Sequence, residues 1–397
     1  MTAIAPLTPT QRVVAASGLS NLADGIRIVA LPLVALEVTS SPLWVAAVFA
    51  ASQAPWLLVS PWAGALSDRT DRIRLARRTA LLRSVLLAAL AALLLFDLVP
   101  IALLVAMAFV LGSSEVLADT VSGVLIPLLV PEEKLERANS RMVLAEVLGN
   151  ELVGPAIGGL LFAFAAFLPF VTNAGLLGVV FLLLTGLRPF AAPEDDELVE
   201  LPTDASTRGL SIIRSSPQLR TITVSTAALA AVDGTWFSLL ALVVTIELEL
   251  PAAALGIVLA LGAVGGLVGA AVADRLSAVP LSTVASLTFA AIAGPLVVLG
   301  WLPNRFSLVV ALVVTSAAFA VWNVVMVSAR QRGTKASELG RVGATHRMVV
   351  MTAALVGTLV GGFIAEVTSL RLTLVVCGVA TALAVPVVRR SFRVHAG

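Results

Sequence analysis

The chain has 397 residues, 59% of them hydrophobic and 13% charged, with a formal net charge of +2 and a mean hydropathy of +1.02. A soluble domain carries about 25% charged residues, so this composition excludes a soluble enzyme and points to an integral membrane protein. One cysteine, Cys377, and two histidines, His346 and His395, rule out a disulfide framework, a thiolate metal site and a His-rich metal site.

Apolar runs long enough to cross a bilayer recur along the chain. Twelve are expected, at about 14–37, 43–66, 79–97, 101–122, 141–164, 167–187, 221–246, 252–273, 281–301, 306–328, 343–365 and 371–388. The first is too long for a cleaved leader and runs straight into the second. Most connections are short, so consecutive helices are expected to be antiparallel neighbours. The exception is 188–220. It is acidic and proline-containing at first, then basic and mildly amphipathic at Leu210, Ile212 and Ile213. It reads as a linker followed by a short surface helix. The expected fold is an all-α membrane protein of 12 transmembrane helices in two pseudo-symmetric six-helix bundles, 1–187 and 221–397, joined by the cytoplasmic linker 188–220.

The stretch GALSDRTDRIRLARR (64–78) places Arg69, Arg72, Arg74, Arg77, Arg78, Asp68 and Asp71 between two apolar runs. With a cytoplasmic N-terminus, inner loops, tails and adjoining helix ends hold 23 of the 26 Lys and Arg; the others are Arg305 and Arg371 outside and Arg27 within helix 1. Positive residues stay on the cytoplasmic side, so both termini are expected there, in a multi-pass protein of the cell membrane.

The two halves repeat. Asp24-Gly25 in helix 1 answers Asp233-Gly234 in helix 7, and GALSDR (64–69) answers AAVADR (270–275). LERANSRMV (135–143) answers LGRVGATHRMV (339–349), and GPAIGGLL (154–161) answers GTLVGGFI (357–364). The offsets are 209, 206, 204–206 and 203. Parallel six-helix repeats imply a cavity between the halves that opens alternately to each side.

Charge inside a span is costly and usually faces a cavity or a partner. Asp24 lies roughly 15 Å into helix 1, near midplane, and Arg27 follows one turn later, where it can pair with it. Asp233 lies at similar depth in helix 7. Glu151 is near the middle of helix 5, Glu146 is closer to the inside, and Glu115 and Asp119 share a face of helix 4. Burial favours a carboxylate's protonated form and a nearby cation opposes this, which lets such groups exchange a proton for a substrate. The alternative for Asp24 is an ion-pair lock with Arg27. Asn21, Gln53, Trp236, Trp322 and Asn323 are candidate cavity-lining groups, although tryptophan also anchors interfaces. Gly154 and Gly158, four apart in helix 5, allow another helix to approach. Pro155 removes a backbone donor.

No P-loop, HExxH, CxxC or GxSxG motif stands against this. The basic loops lack the interleaved aromatics of a nucleic-acid groove. No enzyme activity, cofactor or metal is expected.

GALSDRTDRIR resembles the loop signature of the major facilitator superfamily, G-x-L-x-D-R-x-x-R-[RK], at Gly64, Leu66, Asp68, Arg69 and Arg72; Ile73 replaces the second basic residue. VGPAIGG (153–159), holding Gly154, Pro155, Gly158 and Gly159, is similar to that superfamily's antiporter signature, with Asn150 at the expected glycine spacing and Gly149 beside it. The run at 23–42 and PEEKLERAN (131–139) resemble the branch of enterobactin exporters and macrolide-efflux proteins. The family's helix 4 arginine is absent from MAFVLGSSEVLADT (107–120). The resemblance implies the major facilitator fold and alternating access, with Asp68 latching the inner ends against helix 11 and Arg72 pairing with Asp119. It also implies that the helix 5 glycines pack at helix 8. The alternative for the loop arginines is that they only fix topology. The implied function is proton-coupled export of small amphipathic or lipophilic molecules by a monomer. A dedicated siderophore or metabolite exporter and a proton-coupled uptake symporter stand as alternatives.

Overall fold

The computed structural model describes residues 8–129, 135–187, 202–276 and 279–393, and every regular element among them is helical. α1 (Pro9–Val38) starts at a reciprocal cap: Gln11 N–H donates to Thr8 Oγ1 at 3.3 Å and Thr8 N–H donates to Gln11 Oε1 at 2.9 Å. The second expected span forms as α2 (Pro42–Leu58) and α3 (Ser60–Arg69), bent by 49°. Pro61, in the first turn of α3, has no N–H for the carbonyl four residues back, so the helical ladder is interrupted there. α4 (Arg72–Leu95) is capped by Asp71, whose carboxylate accepts from the Arg74 N–H at 3.0 Å. That gives Asp71 a local task at the start of the helix.

α5 spans Ile101–Leu129. The fifth expected span is three pieces: α6 (Leu135–Glu146), a π-helical segment (Val147–Val153) and α7 (Gly154–Phe164). The Gly154 N–H bonds the Gly149 carbonyl, five residues back, and Pro155 has no N–H to restore the four-residue ladder. α8 (Leu168–Leu184) follows, and the amphipathic α9 (Pro202–Ser215) stands where the surface helix was expected. α10 (Pro217–Leu242) runs on into a second π segment, Val243–Glu247. The remaining helices are α11 (Ala252–Leu276), α12 (Leu281–Trp301), α13 (Arg305–Arg332), α14 (Leu339–Val367) and α15 (Leu370–Arg393). Among the described residues 10 helical spans are long and apolar enough to cross a membrane. The bent pair α2 and α3 makes an eleventh, and α8 is a shorter apolar helix at the place of the sixth.

By contact the chain forms two compact units. The first contains α1, the later part of α2, α3 to α8 and the first turn of α11. The second contains the start of α2, α9, α10, the rest of α11 and α12 to α15. In the first, α1 packs on α7 and α8, and α4 on α8 and α5. In the second, α10 packs on α14 and α15, and α12 on α15 and α13. These are the same pairings under the repeat read from the sequence.

Glycine permits the closest approaches in each unit. A Cβ on Gly158 would lie 2.6 Å from the Ile26 carbonyl oxygen, and one on Gly154 would lie 2.7 Å from Gly25 Cα. In the second unit, a Cβ on Gly361 would lie 2.7 Å from Thr235 Oγ1. Gly158 and Gly361 are related by the offset of 203, and Ile26 and Thr235 by 209, so the sequence repeat is also a repeat of contacts. Helix 5 therefore turns Gly154 and Gly158 toward α1. Only Gly159 meets α11, where its Cβ would lie 3.1 Å from the Ala253 carbonyl. The expectation that the motif packs at helix 8 holds for one glycine of the three.

A buried charge network as the candidate functional site

Four charged side chains from three helices meet inside the first unit. Asp24 and Arg27 lie on α1, Arg83 on α4 and Glu115 on α5. Arg83 Nη2 donates to Asp24 Oδ1, and Arg27 Nη2 donates to Glu115 Oε2. The two pairs are joined, because Arg27 Nη2 also lies 3.5 Å from Asp24 Oδ1. Arg83 Nη1 donates to Ser20 Oγ at 3.1 Å. Asn173 on α8 donates from Nδ2 to the Ala23 carbonyl at 2.6 Å, tying the adjacent backbone. Asp24, Arg27 and Arg83 are buried, with Arg83 only 1% exposed, while the Glu115 side chain retains 13%.

The chemistry follows from the count. Two carboxylates and two guanidiniums sum to zero, which makes burial tolerable where a lone charge would not be. The pairing is not saturated, since Arg27 Nε, Arg83 Nε and Asn173 Oδ1 find no hydrogen-bond partner among the described residues. Arg83 also lines a small cavity among α1, α4, α5 and α8, about 30 Å³ in volume, with Ser17, Ser20, Thr79 and Ser122. That volume suits about one water molecule.

The expected Asp24–Arg27 pair is therefore present, but as the longer link between two interhelical pairs. Arg83 is one of the 23 Lys and Arg counted with the inner loops and adjoining helix ends. Its signal was available: in RTALLRSVLLAALAALLL it lies five residues beyond Arg78, inside an apolar run. The arginine missing from helix 4 is thus answered from helix 3, by a residue that reaches the helix 1 carboxylate.

Other expected residues lie outside the network. Glu151 and Glu146 are exposed on or beside the π segment, and Asp119, one turn beyond Glu115, is exposed and forms no ion pair among the described residues. Among the described residues no ion pair joins Arg72 to Asp119: Arg72 is buried in the first turn of α4, whereas Asp119 stands exposed on α5. The side chains of Asp68 and Arg69 lie outside the described residues, so the latch has no geometry here. Gly64 is half-buried, with nothing within 4 Å of a Cβ placed on it. Gln53 is exposed on α2, and Asn21 donates to the Ser17 carbonyl of its own helix at 2.9 Å.

In the second unit Asp233 is half-buried and has no ion-pair partner among the described residues. Trp236 is buried, and its indole N–H has no partner among the described residues. Trp322 is a packing residue: its Nε1 donates to Thr226 Oγ1 at 3.0 Å, and its ring meets Phe289 and Phe392 edge-on. Asn323, beside it, is exposed. His346 is buried, and its Nδ1 lies 3.1 Å from Thr223 Oγ1. Among the described residues no group of three or more His, Cys, Asp or Glu is placed to hold a metal ion.

Comparison by sequence with curated proteins gives no match. Solved structures match the fold over nearly the whole chain. The nucleoside transporter NupG matches with a TM-score of 0.79 at 12% identity, over 97% of this chain and 99% of that one. A bacterial homologue of the iron transporter ferroportin, in an inward-facing state, matches at 0.74 and 20% identity, over 97% and 98%. A bacterial homologue of the human lysosomal transporter Spinster matches at 0.74 and 10%, over 97% and 95%. The sequence profile of the Major Facilitator Superfamily matches residues 13–344. With twelve helices in repeated pairings and a balanced charge network inside one six-helix half, this chain belongs to the Major Facilitator Superfamily of small-molecule membrane transporters.

Proposed function

We propose that the protein exports small amphipathic or lipophilic compounds in exchange for protons, by alternating access. The observation that carries this reading is the Arg83–Asp24–Arg27–Glu115 network. It is neutral only while both carboxylates are ionised. A proton on Glu115 removes an acceptor from Arg27, whose remaining partner is then Asp24, already held by Arg83. The guanidinium gains freedom to move, and a side-chain rearrangement follows from a change in proton occupancy. Glu115 suits the proton-carrying role because its side chain is the most exposed of the four, 13% against 6% for Arg27 and 4% for Asp24. Asp24 suits the anchor role, with Arg83 as the positioning group. Glu151, which the sequence favoured as a coupling carboxylate, has no place in this circuit.

Export rather than uptake rests on VGPAIGG, the run similar to the family's antiporter signature. The test uses proteoliposomes with an imposed pH gradient. A panel of lipophilic cations is presented alongside a nucleoside and an iron salt, because one solved neighbour is named as a nucleoside transporter and another as a homologue of an iron transporter. Lipophilic cations should move uphill against the proton gradient. Glu115→Gln should cut gradient-driven transport at least about tenfold, about 1.4 kcal/mol in the barrier, while downhill exchange persists. Full uphill accumulation by Glu115→Gln would remove the network from coupling. Movement of one compound alone would indicate a dedicated exporter, and co-directional movement with protons would indicate a symporter.

A further inference from the structure

At the arginine-rich end of the second unit a crevice of about 430 Å³ opens between α10 and α15. Its polar side is formed by Arg220, Thr221 and Ser225 of α10 with Ser391 of α15, and its apolar wall includes Val224 and Val387. Those two valines are 62% and 63% exposed, on helices apolar enough to cross a membrane, so their outer faces suit hydrocarbon.

The polar side is unsatisfied in a particular way. Hydroxyls on these helices commonly bond back to a carbonyl of the preceding turn, as Thr226 does to Ile222 at 2.8 Å and Ser391 to Val387 at 3.0 Å. Thr221 and Ser225, one turn apart, make no such bond among the described residues, and Ser225 is only 5% exposed. Arg220 forms no ion pair among the described residues. The exposed Arg389, Arg390 and Arg393 of α15 add positive potential at the same end. An unpartnered guanidinium, two open hydroxyl donors and an adjoining exposed apolar wall complement a group that is anionic at one end and hydrocarbon at the other.

We propose that this crevice binds an anionic membrane phospholipid. Arg220 pairs with the headgroup phosphate, the Thr221 and Ser225 hydroxyls donate to its oxygens, and the acyl chains run along Val224 and Val387. A bound lipid would brace the first turns of α10 against the last turns of α15 within the second unit.

The test is thermal unfolding of the full chain in a neutral detergent, with added dioleoyl-phosphatidylglycerol, dioleoyl-phosphatidylcholine or inorganic phosphate. Phosphatidylglycerol should raise the midpoint by about 5 °C at saturation, and phosphatidylcholine by much less. Arg220→Gln should lose most of that rise, and Ser225→Ala should need several-fold more lipid. Arg214→Gln, an exposed arginine on α9 that does not line the crevice, should respond as wild type does. Should Arg220→Gln fail to fold, Ser225→Ala alone carries the test. An undiminished response in the folded crevice variants overturns the site. Equal rises with phosphatidylcholine, or with inorganic phosphate alone, overturn its assignment to an anionic lipid.

Discussion

Asp24 is gripped from two sides, by Arg83 of α4 and by Arg27 of its own helix. Removing one buried partner is expensive because the other charge stays behind. Breaking such a pair typically costs about 3–5 kcal/mol, whereas replacing both members with apolar groups is often neutral. Arg83→Leu should therefore lower the unfolding midpoint strongly in detergent, and Asp24→Leu combined with Arg83→Leu should recover most of the loss. Arg83→Lys should recover little, since one ammonium cannot reproduce the fork that holds Asp24 and Ser20 together. If Arg83→Leu unfolds within a degree of wild type, Asp24 does not depend on this contact.

Helix 5 shows how an element is shaped by what it must touch. Its π segment ends where Gly154 and Pro155 begin a new α-helix, and Gly154 and Gly158 sit against the backbone of α1. A side chain at Gly158 would have to displace main chain, which cannot swing aside as a rotamer can. Overpacking of this kind costs about 1–3 kcal/mol, so Gly158→Ala should lower the midpoint measurably, and Gly361→Ala should do the same through Thr235. Gly64→Ala is the internal comparison, because open space surrounds that helical position; its midpoint should equal or exceed that of wild type. Helix propensity favours alanine at both positions, so a Gly158→Ala midpoint no lower than that of Gly64→Ala would show that close approach does not set a cost there.

For the whole molecule, the distribution of arginine makes a topological prediction. In a protein with Cys377→Ala, Ser337→Cys lies between α13 and α14 at an arginine-rich end, and Thr368→Cys lies between α14 and α15 at the opposite end of α14. Both native positions are exposed. A membrane-impermeant maleimide should label Thr368→Cys in intact cells and Ser337→Cys only after permeabilisation. The reverse pattern would place the termini outside.

Apolar run length by itself determined the twelve helices, because a bilayer-crossing backbone must satisfy its hydrogen bonds within each segment. The internal repeat was equally legible, and it reappeared as the paired seats of Gly158 on Ile26 and Gly361 on Thr235. Charges within spans marked Asp24, Arg27 and Glu115 as candidates, since such residues are rare in apolar runs. Sequence could not say which of them meet. Partners on separate helices are fixed by rotation and depth, which depend on packing against every neighbour. For that reason Arg83 passed as a loop-anchoring arginine, Glu151 looked like a core carboxylate, and Asp119 looked like the partner of Arg72. Only the tertiary structure turned Arg83 inward onto Asp24, carried Arg27 to Glu115, and left Glu151 exposed where the π segment breaks the α-helical register.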